Sequence, residues 1–109
     1  MRHIGTFQSK RWGTVTVVAA TYERADGPLA VILGTDIGEK LGTLSVNLYR
    51  PQCSHDSKDL PPECFYVKTW AENEDLAIEA LASGLFTVRD DLPVGRSGYV
   101  TAPVWKIKS

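Results

Sequence analysis

At 109 residues, 43% of them hydrophobic and 23% charged, the chain is the size of a single domain with one modest core, and its composition excludes general disorder. Its longest apolar run, Val15 to Ala20 broken by Thr16, falls far short of a membrane-spanning helix. The start from Met1 to Thr6 lacks the apolar core of a secretion signal, so a cytoplasmic protein without membrane association is the default expectation.

Ile4 to Arg11 alternates weakly around Ile4 and Phe7 and is read as a short first strand or its lead-in, with a turn at Trp12-Gly13. Thr14 to Tyr22 is rich in β-branched residues and places Val15, Val17 and Ala19 on one face. Glu23 to Pro28 reads as a turn in which Asp26-Gly27 supplies the positive-φ option of a hairpin. The apolar run Leu29 to Leu33 suits a central strand, and Gly34 to Gly42 a second hairpin connection. From Thr43 to Leu48 the period-two pattern predicts Leu44, Val46 and Leu48 inward, with Thr43, Ser45 and Asn47 outward. Adjacent strands on short loops predict a meander.

Tyr49 to Glu63 is irregular, stopped by Pro51 and by Pro61-Pro62. Cys64 to Trp70 regains strand character with aromatic residues on both faces. One helix follows: Asn73 is the expected N-cap, Glu74 and Asp75 suit the positive end of its dipole, and Gly84 is the expected C′ residue. Leu76, Ala77, Ala80 and Leu81 form its apolar stripe, flanked by Ile78, with Glu79 facing away. Leu85 to Val88 is a strand or extended return, Arg89 to Gly98 a loop, and Tyr99 to Ile107 a last strand. Pro103 predicts that this strand is an edge or carries a bulge. The fold expected is a single α+β domain over 1–109: an antiparallel, meander-rich sheet of about five to six strands packed on one short α-helix.

Cys53, His55 and Cys64 are metal-ligand types, yet no paired Cys-x-x-Cys spacing accompanies them, so neither a metal nor any other cofactor is expected. Ser54, His55 and Asp56 are sequence neighbours, whereas a catalytic triad is assembled by folding; no catalytic residue and no enzymatic activity are expected. Gly95-Arg-Ser-Gly98 could offer backbone N–H groups and a guanidinium to a phosphate, or simply form a tight turn.

Charge is polarised although the net value is −1. Asp59, Glu63, Glu72, Glu74, Asp75 and Glu79 stand against Lys68 alone and define a candidate acidic surface for a basic partner. Arg2, Lys10, Arg11, Arg96, Lys106 and Lys108 lie at the two ends of the chain. If the first and last strands were neighbours, these would share one sheet edge and, with Trp12, Tyr99 and Trp105, offer a nucleic-acid surface.

Thr43 to Leu48, the helix between Trp70 and Gly84-Leu85, and Gly95-Arg-Ser-Gly98 followed after four residues by Pro103-Val-Trp together resemble a family of small uncharacterised proteins. Members of that family are encoded on bacterial plasmids, phages and conjugative elements. The resemblance covers roughly Thr43 to Ile107, departs in the Pro-rich Cys53–Cys64 loop, and carries no activity onto named residues. It implies an accessory protein of a mobile element. In that setting an acidic, non-enzymatic domain is expected to bind and inhibit a basic, nucleic-acid-handling host defence protein, as anti-CRISPR and anti-restriction proteins do. A nucleic-acid or phosphate-binding module using the basic set, and a structural protein self-associating as a homodimer through a strand edge, are the other two expectations.

Overall fold

The computed structural model describes residues 2–21, 29–46, 60–70, 73–97 and 100–108. Within them the chain forms ten strands in three antiparallel sheets and one helix, an α+β architecture with more and shorter strands than the sequence pattern predicts. The first sheet is the expected meander. β1 (Arg2–Ser9), β2 (Gly13–Thr21), β3 (Leu29–Thr35) and β4 (Lys40–Thr43) pair in sequence order. Val15, Val17 and Ala19 of β2 are buried as their alternation predicts, beside Val31 and Leu33 of β3. The β1–β2 turn closes at Gly13, whose φ of 71° is a conformation that costs glycine little. The connection 22–28 lies outside the described residues.

The predicted strand from Thr43 to Leu48 is broken at Leu44, and this break makes the fold two-layered. The Leu44 N–H still donates to Val31 of the first sheet at 2.8 Å, while its carbonyl accepts from Lys68 N at 2.7 Å. Beyond it, β5 (Ser45–Val46) pairs with β6 (Cys64–Val67) in a second sheet. Ser45, expected outward, is buried, because at this corner its Oγ accepts from the Val31 N–H at 2.9 Å that β4 leaves behind.

The second sheet has the order β5-β6-β10-β7, with β7 spanning Phe86–Val88 and β10 spanning Val104–Ile107. The last strand is therefore central in its sheet, not an edge. Pro103 instead separates β10 from β9 (Val100–Ala102), and its carbonyl accepts from Val67 N at 2.9 Å. The predicted 89–98 loop contains β8 (Gly95–Ser97), which pairs with β9 as a two-stranded ribbon.

Both faces of β6 are buried. On the inner face Phe65 and Val67 join Trp105, Ile107 and Phe86 against Val15, Val17 and Leu33 of the first sheet. Phe65 meets Phe86 edge-on at 5.6 Å and Trp105 at 6.4 Å. On the outer face Cys64, Tyr66, Ala102 and Val104 form a smaller cluster, partly covered by Leu60, Trp70 and Leu92.

The helix α1 (Glu74–Ala82) is nine residues long, marginal alone and held by its packing. Leu76, Ala77 and Ala80 enter the core as predicted, but Leu81 is 36% exposed and Ile78 66% exposed. The buried stripe is narrower than expected because Asn73, not Leu81, completes it one turn earlier. Asn73 is 1% exposed and makes no side-chain cap bond; its Nδ2 donates to the Thr43 carbonyl at 2.8 Å, tying the helix start to β4. Gly84 ends the helix at φ 83°, as predicted.

Candidate functional site

Glu79 was expected to face solvent with the other acids. It instead fastens α1 to the β1–β2 turn. Ser9 Oγ donates to Glu79 Oε1 at 2.8 Å and the Lys10 N–H donates to Oε2 at 2.7 Å. Ser9 Oγ also accepts from the N–H groups of Arg11 and Trp12, a local turn that a Ser hydroxyl readily organises. The backbone of residues 10–12 is thereby held beside the helix.

The result is an open cleft of about 370 Å³ lined by Lys10 and Arg11 on the turn and by Asp75, Ile78, Glu79 and Ala82 on the helix. The four helical residues follow the spacing of a single helix face, opposite Asn73, Leu76, Ala77 and Ala80. Trp12 is 44% exposed, and the Arg11 guanidinium lies 5.1 Å from its ring centroid. Large apolar side chains with oppositely charged rims are therefore gathered here. Ile78 lines this cleft although the charge pattern does not single it out, and Trp12, named above with the basic set, follows Arg11 on the turn.

The candidate acidic residues are not one patch. Glu74 and Asp75 are exposed and make no hydrogen bond or ion pair among the described residues. Glu79 is engaged as above. Glu63 takes a positive φ of 67° and forms a two-pronged ion pair with Arg2, whose Nη1 donates to Oε1 at 3.1 Å and whose Nη2 donates to Oε2. Asp59 and Glu72 lie outside the described residues, as do Cys53, Ser54, His55, Asp56, Gly98 and Tyr99.

The basic residues do not share one sheet edge either, because β1 and β10 belong to different sheets. Arg2 and Lys108 meet in a shallow cleft that also includes His3 and Glu63, so part of its positive charge is already paired. Lys10 and Arg11 lie past the other end of β1, roughly 25 Å away at the rise of a strand. Lys106 is exposed on β10, and Arg96 is exposed on the β8–β9 ribbon. Since Gly95–Ser97 is a strand opposite Val100–Ala102, the Gly95-x-x-Gly98 segment does not wrap as a phosphate-cradling loop across its first three residues.

Cys64 is a buried free thiol, and burial pushes its pKa up, opposed in part by Arg89 and Lys106. Arg89 Nη1 lies 3.7 Å from its Sγ, while Nε and Nη2 of the same guanidinium donate to Asp91 Oδ1 and Oδ2, each at 2.8 Å. Those bonds lower the Asp91 carboxyl from 3.8 to about 2. Because the folded-state value lies below the unfolded one, the pair's contribution is full above about pH 4 and is lost as pH falls toward 2. Urea midpoints measured across that window are expected to fall more for the wild type than for Asp91→Asn, by a small margin because both side chains reach solvent. Among the described residues no group of three or more His, Cys, Asp and Glu is placed to hold a metal ion, and no helix is long and apolar enough to cross a membrane.

Comparison of the chain with family models, curated proteins and solved structures finds no match.

Proposed function

We propose that this chain is a non-enzymatic mobile-element accessory protein that binds and inhibits a basic, nucleic-acid-handling host defence protein, of the anti-CRISPR or anti-restriction type. The contact surface is the outward face of α1 and the adjoining β1–β2 turn. The observation that carries the reading is the exposure of Glu74 and Asp75 without partners on a helix whose next outward residue, Ile78, is a large exposed hydrophobe. Acidic side chains beside an apolar anchor suit a protein surface that normally meets phosphates, since the carboxylates occupy its cations while Ile78 and Trp12 exclude water. Glu63 and Glu79 serve the fold in this reading, being committed to Arg2 and to the β1–β2 turn.

The test is capture from bacterial lysate by the tagged chain, with bound proteins identified and the capture repeated over a salt and DNA series. The wild type is expected to retain a basic nucleic-acid-binding protein that added salt or DNA displaces, and Glu74→Lys with Asp75→Lys to lose it. Equal retention of that protein by the doubly reversed variant contradicts the reading.

A further inference from the structure

We propose that the same face is complementary to itself, and that two copies of this chain associate across a two-fold axis beside Ile78 with their α1 helices antiparallel. The argument rests on where the two charge signs stand along the helix. Glu74 and Asp75 occupy its first turn, whereas the Lys10 backbone is bonded to Glu79 in its second half, with Arg11 next to it bonded to the Ser9 hydroxyl that also reaches Glu79. Asp75 and Glu79 are four residues apart, about 6 Å along the axis, with Ile78 between them. Base and acid are thus displaced to opposite sides of the exposed apolar centre.

A two-fold rotation about that centre exchanges the ends. It brings Glu74 and Asp75 of each protomer to Lys10 and Arg11 of its partner, and Ile78 to Ile78. Isologous interfaces need this self-complementarity. Within one copy the demand is unmet: the side chains of Lys10, Glu74 and Asp75 form no ion pair among the described residues.

A nine-residue helix and one turn offer less than the roughly 800 Å² per partner of a standard interface, so the dimer is weak and salt-sensitive. The inference does not depend on the proposed host partner. It adds that dimer and complex exclude one another, because both cover Ile78.

Sedimentation velocity on the purified chain over a concentration series tests it. The wild type is expected to dimerise reversibly, less so at high salt, and Ile78→Asp to raise the half-association concentration by about tenfold or more, which corresponds to about 1.4 kcal/mol. Lys10→Glu with Arg11→Glu, and separately Glu74→Lys with Asp75→Lys, are each expected to be monomeric, while their equimolar mixture forms a heterodimer. Restored association in the mixture also shows that both variants are folded. A wild type that stays monomeric at every concentration and salt overturns the proposal. So does self-association that survives both charge reversals, which would place the contact at a strand edge, or a mixture that stays monomeric.

Discussion

Trp105→Ala is expected to lower the free energy of unfolding by about 3–5 kcal/mol, the usual cost of emptying an aromatic site in a packed core. Trp105 is 4% exposed and sits on the central strand of the second sheet, opposite Phe65 on one side and Val88 on the other. Its ring packs at 6.4 Å from Phe65 and 5.7 Å from Phe86, so its loss strips both phenyl rings of a neighbour at once. A domain of this size has about 5–15 kcal/mol in total, so the variant loses a large share of its stability. Urea unfolding followed by circular dichroism measures it. A loss under about 1 kcal/mol would mean that the layer between the two sheets is not the principal core.

Glu79→Ala is expected to cost about 2 kcal/mol, because the carboxylate receives two hydrogen bonds that also fix the β1–β2 turn. The Lys10 N–H donor is exposed although Ser9 is buried, which holds the loss below that of a fully buried ion pair. Glu79→Gln keeps one acceptor oxygen and is expected to lose less. Glu74→Ala and Asp75→Ala, exposed at the first turn, are expected to cost below about 1 kcal/mol each through the helix dipole alone. The same urea experiment ranks all four. If Glu79→Ala proved no worse than Asp75→Ala, the assignment of Glu79 to the fold would fail, and it would return to the acidic surface.

Much of the meander was legible in the sequence because its signals are local. Alternation in Thr14 to Tyr22 gave the buried face of β2, and Leu29 to Leu33 marked a central strand. Asn73 and Gly84 bracketed the helix correctly, yet Asn73 does so by reaching across 30 residues to Thr43, which no capping pattern encodes. The corner at Leu44 is hidden for a similar reason: Thr43 to Leu48 alternates perfectly, and only the pairing of the Leu44 N–H with Val31 and of its carbonyl with Lys68 shows that the chain changes sheets there. Pro103 signalled an interruption but not its kind: the chain breaks before a central strand instead of running along an edge.

The candidate site was half legible. The density of acid between Asp59 and Glu79 is a real feature of the chain, but its division into structural and free groups depends on partners far away in sequence. Glu63 finds Arg2 across 61 positions and Glu79 finds Ser9 across 70. By periodicity Ile78 flanks the buried stripe, but it lies on the side of the helix away from Leu76, Ala77 and Ala80 and is exposed. The basic ends of the chain form one edge only if β1 and β10 adjoin; the two-sheet topology removes that condition and leaves the positive charges dispersed.

In the proposed function Glu74 and Asp75, and not the acids tied into the fold, carry the contact with the host protein. Phage plating on bacteria that carry a restriction or CRISPR nuclease and express the chain tests it most directly. The wild type and Glu63→Ala are expected to raise plating efficiency alike, and Glu74→Lys with Asp75→Lys to abolish the rise while keeping its circular dichroism spectrum. Undiminished protection by the doubly reversed variant, in a host where the wild type protects, would contradict the account.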